Sequence, residues 1–392
     1  MERATVLGAG LMGHGIGELL ALAGFEVTLV DINEEALKKA VDSISWSLGK
    51  FAEKKTIREE DAKAALARIK TNVDLEAAVA DADLVVEAVP EKIELKKSIF
   101  KRLNGAAPPH AILASNTSSL SITEMAAQTD RPDKVIGMHF FSPPVLMALV
   151  EVVRGEGTSD ETTDAIVELV KKLGKTPVVV RKDVRGFIVN RVLGAIMNEA
   201  FSVVEKGEAT MEEVDAAVKY KAGFPLGAFE LADMVGLDVM YEVGKIMENA
   251  YGDVAKSSPM LEKLVKEGNL GQKTGKGFYD WKVGRPRISF RLAGKFDVNR
   301  LYAIATNEAA RLVHEDVAGP EDIDLAMKLG TGWPTGPCER SDKLGLDVLL
   351  EKLKMLHEKY GEEMYVPSPL LEEYVANGWT GKAAGRGFYQ YG

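Results

Sequence analysis

Ala4-Thr5-Val6-Leu7-Gly8-Ala9-Gly10-Leu11-Met12-Gly13, then Ile16, Leu19, Leu20 and Ala23, then Phe25-Glu26-Val27-Thr28-Leu29-Val30-Asp31: this stretch decides the fold of the chain. A short apolar run predicts a strand. The glycines predict a tight turn, and the 3–4 spacing of the next apolar residues predicts a helix that Gly24 ends. A second strand closes on Asp31. Strand, glycine-rich turn, helix and strand in this order form the βαβ unit that binds a dinucleotide. Gly8 permits the turn, Gly10 lets backbone approach a pyrophosphate, and Gly13 lets helix pack on strand. Leu11 and Met12 lie in the same loop and count with the cofactor-binding residues. The helix N-terminus offers N–H donors and the positive end of a dipole. Asp31, 18 residues past Gly13, would accept bonds from a ribose 2′-hydroxyl and repel a 2′-phosphate, which favours NAD over NADP. His14 reads as a solvent-facing residue of the first helical turn.

Further strands follow at Leu84–Val89, Ala111–Ser115 and Lys134–Met138, with helical segments such as Glu94–Leu103 between them. Such alternation predicts an α/β, doubly wound sheet of Rossmann type over residues 1–182, with ligands beyond the C-terminal ends of its strands. Pro90-Glu91, Asn116-Thr117-Ser118 and His139 fall there.

From about residue 183 the pattern becomes helical and repeats itself. Asn190-Arg191 and Asn198-Glu199-Ala200 recur as Asn299-Arg300 and Asn307-Glu308-Ala309. Gly223-Phe224-Pro225-Leu226-Gly227 recurs as Gly332-Trp333-Pro334-Thr335-Gly336, and Gly277-Phe278-Tyr279 as Gly387-Phe388-Tyr389. An offset of about 109–110 residues held this long predicts a duplicated all-α domain, 183–281 and 295–392, packed as an internal pseudo-dimer. Lys282 to Gly294 reads as the linker. The second copy has Leu292 opposite Asp183 and Lys295 opposite Gly186, so function is expected to stay with the first copy and the sheet.

Composition narrows the partners. At 46% hydrophobic and 28% charged residues, the chain is globular rather than disordered or fibrous. No run approaches the length of a membrane helix, and the start leaves no room for a leader before the first strand. A net charge of −10 argues against nucleic acid as the main partner. The single cysteine, Cys338, excludes an internal disulfide and any cysteine metal cage; no metal is expected. A cytoplasmic setting follows.

Of five histidines, His110, His314 and His357 read as surface residues, whereas His139 ends an apolar strand before Phe140-Phe141-Ser142-Pro143-Pro144. Glu151, twelve residues on, sits in the apolar run Leu149–Val153, where a carboxylate is costly unless paired. The two explain each other if Glu151 accepts a bond from a His139 nitrogen and so fixes its tautomer, as in a catalytic dyad. A satisfied histidine and a strand-end glutamate is the other reading. Asn116-Thr117-Ser118-Ser119 reads either as a helix N-cap or as a substrate-hydroxyl contact. Lys50, Lys54 and Lys55, expected to follow a helix that begins near Asn33, read either as a solvated face or as a site for a ligand phosphate.

With these pieces in view the chain resembles the L-3-hydroxyacyl-CoA dehydrogenase family of fatty-acid β-oxidation. The matching motifs are Gly8–Gly13, Ser115-Asn116-Thr117-Ser118-Ser119, His139-Phe140-Phe141, Leu149-Val150-Glu151, Asp183–Arg191, Gly227–Asp233 and Lys273–Tyr279. The duplicated helical domain is similar to the dehydrogenase half of the multifunctional β-oxidation proteins, without residues for an attached hydratase domain. The resemblance implies NAD-dependent oxidation of (S)-3-hydroxyacyl-CoA to 3-oxoacyl-CoA. It gives His139 as general base, Glu151 as its orienting partner, and Ser118 and Asn190 as holders of the substrate oxygen. It also implies cofactor contacts for Glu91, Lys96, Ser118, Ser142 and Lys273, and CoA contacts for Ser47 and Lys54. Ser142 stands where many relatives have asparagine, and Ala148 where a lysine is common. Three other readings stand beside it: a short-chain 3-hydroxybutyryl-CoA dehydrogenase, a retired NAD-binding structural protein of the crystallin kind, and a hydroxy-acid dehydrogenase acting without CoA. The chain itself is expected to be a monomer or a homodimer.

Overall fold

The structure, a computed structural model, describes all residues 1–392 and divides into two compact units, Met1–Val184 and Arg185–Gly392. The first contains β1 (Arg3–Leu7), α1 (Leu11–Leu22), β2 (Glu26–Val30), α2 (Glu34–Glu53), α3 (Glu59–Ala67), β3 (Ile69–Asn72), α4 (Leu75–Val79), β4 (Leu84–Glu87), α5 (Ile93–Ala106), β5 (Ile112–Ser115), α6 (Ile122–Ala126), β6 (Val135–Phe140), β7 (Leu149–Arg154), α7 (Asp160–Lys172) and β8 (Thr176–Val180). Its single sheet has the order β3-β2-β1-β4-β5-β6-β7-β8. The order reverses direction after β1, which is the switch point where open α/β sheets bind ligands. Central strands such as β4 are buried along their whole length, as expected where helices cover both faces.

The predicted doubly wound sheet is present, with one departure from parallel pairing. β6 and β7 pair antiparallel, while β7 and β8 are again parallel. The loop 141–148 between them is too short for the crossover that a parallel pair needs. Strand β6 runs on through His139 to Phe140 rather than stopping at Met138. The two edge strands have no counterpart in the sequence reading, for a physical reason. β3 is Ile-Lys-Thr-Asn, half polar, and β8 carries Pro177, a residue sheets tolerate at an edge.

Helix α2 starts at Asn33, whose side chain accepts the amides of Glu35 and Ala36. It buries Leu37, Ala40, Ile44 and Leu48 as one stripe, leaving the other face to water. Lys50 lies inside this helix, not after it, and Lys54 is its C-cap.

The helical unit contains α8 (Val189–Glu205), α9 (Met211–Tyr220), α10 (Ala228–Val235), α11 (Leu237–Tyr251) and α12 (Pro259–Lys266). The same series recurs as α13 (Asn299–His314), α14 (Pro320–Thr331), α15 (Pro337–Leu344), α16 (Leu346–Tyr360) and α17 (Pro369–Ala376). Each copy is closed by the same carboxylate locks. Asp215 accepts the first amides of α10, from Phe229 and Glu230, and the Tyr279 hydroxyl; Asp324 does the same with Cys338, Glu339 and Tyr389. Asp233 accepts the amides of Phe278 and Tyr279, as Asp342 does those of Phe388 and Tyr389. A Cβ at Gly277 would lie 1.9 Å from Asp233 Oδ1, and one at Gly387 2.0 Å from Asp342 Oδ1. The repeated Gly-Phe-Tyr is therefore a packing device, glycine for the close approach and tyrosine for the bond to the carboxylate.

The copies join through α8 and α13 with reciprocal ion pairs. Arg191 reaches Glu308 and Glu315 of the second copy, and Arg300 reaches Glu199 and Glu208 of the first. Phe224 and Trp333, equivalent residues of the two copies, stack at 4.2 Å. The 282–294 segment is held down rather than loose: Tyr220 donates to the Ile288 carbonyl, and Ile288 and Ala293 are buried against Ala216.

Candidate functional site

Gly8 has φ +98°, and a Cβ there would lie 2.5 Å from the Ala88 carbonyl oxygen. A Cβ on Gly13 would fall 1.8 Å from Gly8 O, so α1 crosses β1 this closely only because both positions are glycine. A Cβ on Gly10 would meet nothing within 4 Å, and no side chain caps α1. The amides of its first turn therefore face open space, the shape and polarity that a pyrophosphate fits. Asp31 ends β2 with Oδ2 2.9 Å from the Ala9 amide and Oδ1 3.1 Å from that of Asn33. These two bonds fix the carboxylate beside the glycine loop, where a ribose would come. The residues present thus fit a bound NAD. His14 is half-buried on α1, and burial lowers its pKa despite bonds to the Gly10 and Ala9 backbone.

At the ends of β4 and β5 lies a polar cluster that the sequence only half revealed. Glu87, fully buried, accepts from Lys96 Nζ at 2.6 Å, Ser115 Oγ at 2.6 Å and the Val89 amide at 2.7 Å. Lys96 also lies 3.3 Å from Glu91. Glu91 in turn accepts from Thr117 Oγ1 and from the amides of Ser118 and Ser119. Burial pushes the Glu91 carboxyl up, but Lys96 and the donors from Thr117 and Ser118 outweigh that and hold it below its ordinary value. Lys96 is fully buried, so its charge acts by orienting Glu87 and Glu91. Glu87 escaped the sequence reading. Its only signal there is an acid at the end of Leu-Val-Val, the pattern that was read at Glu151.

The segment Asn116–Ser119 is not the N-cap of α6; Ser121 is, accepting the Glu124 amide. Asn116 Oδ1 accepts the Phe140 amide at 2.9 Å and so ties the end of β5 to the end of β6. Asp183 accepts from Ser121 Oγ and the Thr123 amide, anchoring the end of the sheet unit on α6. That anchoring gives a reason for an aspartate where the second copy has Leu292.

His139 and Glu151 are directly opposite in the β6–β7 register, and His139 Nδ1 lies 2.7 Å from Glu151 Oε2. Glu151 is fully buried and His139 nearly so. Phe141 lies against the imidazole at 4.5 Å between centroids. The loop beyond, with Ser142 at its start, folds back over α1, where Gly15 leaves room for Pro144. Lys175 holds the loop by donating to the carbonyls of Val145 and Met147. The sheet thus gathers Gly8–Gly13, Asp31, Glu91, Ser118, His139 and Glu151 at the C-terminal ends of β1, β2, β4 and β5 and along β6 and β7.

The remaining predicted residues lie elsewhere. Ser47 donates to Glu18 at 2.8 Å between α2 and α1, and burial raises Glu18 to about 7 against the pull of that bond. Lys54 is exposed at the end of α2. In the helical unit, Asn190 lies in the first turn of α8, after a turn in which Gly186 and Phe187 both have positive φ. Phe187 is the strained member, a buried aromatic at φ 53°. Lys273 pairs with Asp238 at 2.6 Å.

Comparison with known proteins agrees with this geometry. Residues 3–184 match the family described as 3-hydroxyacyl-CoA dehydrogenase, NAD binding domain. Residues 186–281 and again 296–391 match 3-hydroxyacyl-CoA dehydrogenase, C-terminal domain. The chain is 43% identical to a 3-hydroxybutyryl-CoA dehydrogenase of Bradyrhizobium diazoefficiens, over 73% of this chain and 97% of the relative. It is 33% identical to the 3-hydroxyadipyl-CoA dehydrogenase of Escherichia coli K12, over 95% of this chain and 97% of the relative. The crystal structure of a 3-hydroxybutyryl-CoA dehydrogenase from E. coli K12 superposes with a TM-score of 0.90 at 31% identity, covering 96% of this chain and 98% of that one. A dinucleotide cradle, a buried His–Glu pair on the same sheet and a twice-matched C-terminal domain lead to one conclusion: the chain belongs to the 3-hydroxyacyl-CoA dehydrogenase family.

Proposed function

We propose that this protein oxidises (S)-3-hydroxyacyl-CoA thioesters to 3-oxoacyl-CoA with NAD, and runs the reverse reduction with NADH. The observation that carries the reading is the 2.7 Å contact between His139 Nδ1 and Glu151, on the same sheet as the glycine cradle and Asp31. With Nδ1 bound to the carboxylate, His139 keeps Nε2 as the proton acceptor. Nε2 takes the proton of the 3-hydroxyl as the C3–O bond becomes a carbonyl, and buried Glu151 stabilises the imidazolium that forms. Bound NAD supplies the acceptor for the hydride that leaves C3. Ser118 and, from the helical unit, Asn190 are assigned to the substrate oxygen, where donors stabilise developing negative charge. Glu91, Lys96, Ser142 and Lys273 are assigned to the cofactor, with Lys96 acting through Glu91. Ser47 and Lys54 are assigned to the CoA moiety.

The reading carries three further assignments. The chain comprises a sheet domain, 1–182, and two helical copies, 183–281 and 295–392, with the chemistry in the first two. The copies form an internal pseudo-dimer, so the chain works as a monomer or a homodimer of such chains. The setting is the cytoplasm, on the strength of a lone buried cysteine, Cys338; no helix is long and apolar enough to cross a membrane.

The test is NADH oxidation by the purified protein with acetoacetyl-CoA, beside NADPH and free acetoacetate. Fast turnover with NADH and the thioester alone is expected. NADH binding without turnover would favour the retired-enzyme reading, and turnover of free acetoacetate the CoA-independent one. A short-chain preference is the second reading, favoured by the name of the B. diazoefficiens relative. A kcat/KM profile across acyl lengths separates it from a broad one.

A further inference from the structure

The two helical copies differ in the turn that leads into their first helix, and Asn190 sits on the unusual one. In the second copy the matching stretch, Gly294-Lys295-Phe296-Asp297-Val298, has no residue at positive φ, and the Asp297 carboxylate accepts the Asn299 amide at 3.1 Å. In the first copy Ile188 stands in place of that acid, no side chain caps α8, and Gly186 and Phe187 lie at φ 76° and 53°. A buried phenylalanine at such a φ keeps its shape only where its surroundings impose it, and strain of this kind gathers at functional sites.

The surroundings do impose it. Met247 of α11 covers Gly186, where a Cβ would lie 2.8 Å from the sulfur. Tyr251, at the end of α11, donates its hydroxyl to the Arg185 carbonyl at 2.9 Å. Arg191 closes the turn with its amide on the Gly186 carbonyl at 3.2 Å, and its guanidinium lies 5.0 Å from the centre of the Tyr251 ring. Glu308 and Glu315 of the second copy, each 2.6 Å away, hold that guanidinium. Charge-assisted bonds to a planar guanidinium fix its orientation as well as its place.

We infer that Glu308 and Glu315 of the second helical copy are positioning residues for the reaction: through Arg191 and Tyr251 they hold the 185–190 turn in the shape that aims Asn190 at the substrate oxygen. The role rests on the assignment of Asn190 made above. It gives the second copy a part in turnover without any contact to substrate, because that copy supplies the charge that the first, with Ile188 for an acid, lacks beside its own turn.

The experiment measures acetoacetyl-CoA reduction, with Tm and NADH affinity, for the whole chain and for Glu315→Gln, Tyr251→Phe, Glu208→Gln, Asn190→Ala and the double variant Asn190→Ala/Glu315→Gln. Glu315→Gln leaves Glu308 on Arg191, and Tyr251→Phe keeps the ring but frees the Arg185 carbonyl. Each should lower kcat roughly tenfold, within the range for a small displacement near a reacting group, while NADH affinity holds. Asn190→Ala should lower kcat roughly 10²-fold, the cost of a lost donor to the oxygen, and adding Glu315→Gln to it should cost nothing more. Glu208→Gln loosens the reciprocal pair with Arg300 and should leave kcat unchanged. Equal losses of kcat in Glu208→Gln and Glu315→Gln, a Glu315→Gln loss that persists undiminished beside Asn190→Ala, or wild-type kcat in both Glu315→Gln and Tyr251→Phe overturns the positioning role and leaves the dehydrogenase reading standing. Wild-type kcat in Asn190→Ala takes Asn190 off the substrate oxygen and the positioning role with it. A wild type without turnover removes the dehydrogenase reading itself.

Discussion

His139 and Glu151 meet because β6 and β7 run antiparallel in a register that sets them directly opposite, with Nδ1 2.7 Å from Oε2. A one-residue slip would send one of the two side chains to the other face of the sheet. The pairing is thus enforced by the backbone ladder and by the apolar residues flanking each partner, Met138 and Phe140 on one strand, Val150 and Val152 on the other.

Substituting the base should separate chemistry from binding. His139→Gln is expected to lower kcat by roughly 10²- to 10⁴-fold, the usual contribution of a general base, while NADH affinity holds. Glu151→Gln should lower kcat less and alter its pH profile, because an amide orients the ring without stabilising imidazolium. Steady-state kinetics from pH 6 to 9, with NADH binding followed by fluorescence, would check both. Equal loss of NADH binding in His139→Gln would contradict the assignment.

Asp31 should set the choice of cofactor. Asp31→Asn keeps an acceptor for the Ala9 or Asn33 amide but removes the charge facing a 2′-phosphate. The KM for NADH should rise roughly tenfold, as expected for weakening a hydrogen bond to a charged acceptor. NADPH should become a usable cofactor. The ratio of kcat/KM for the two cofactors reads the effect directly, and an unchanged ratio would show that discrimination lies elsewhere.

Arg191 is buried between the helical copies, with its guanidinium on Glu308 and Glu315. Arg191→Met leaves Glu308, which is itself buried, with only the longer 3.6 Å contact to Arg311, and should destabilise the chain by about 3 kcal/mol, the low end for breaking a buried pair. Adding Glu308→Leu should recover part of that loss, since the second change removes the buried carboxylate that Arg191 no longer meets. Urea melts of the two variants and the wild type measure the coupling. Additive losses would mean that the pair is not the source of the effect.

Glu18 makes stability depend on pH. Burial raises its carboxyl from the ordinary 4.5 to about 7. A raised acid favours the folded state where it is protonated, so its contribution is full below about pH 4.5 and is lost as pH rises through 7. Glu18→Gln, neutral at every pH, should therefore gain on the wild type between pH 5 and pH 8. Thermal melts at those two values test it, and a constant difference in Tm would rule out Glu18 as the group.

The sequence alone determined the elements whose signals are local. The glycine loop, Asp31 and the β1–α1–β2 order follow from backbone geometry at Gly8 and Gly13 and from helical periodicity, all within one short segment. The duplicated helical series was legible too, because the same glycines, aspartates and tyrosines are needed to close each copy. The resemblance to the family rested on the glycine loop and, beyond it, on Ser115–Ser119, His139–Phe141, Leu149–Glu151 and the motifs of the first helical copy. The tertiary structure decided what depends on partners distant in the chain. The antiparallel β6–β7 pair turned a buried acid and a strand-end histidine into one hydrogen-bonded unit. Packing gathered Glu87, Lys96, Glu91 and Ser115 into one cluster, set Ser47 against Glu18, and crossed Arg191 and Arg300 between the copies. A buried charge is tolerated only where another group meets it, and a residue's own neighbours in sequence do not say which group that will be.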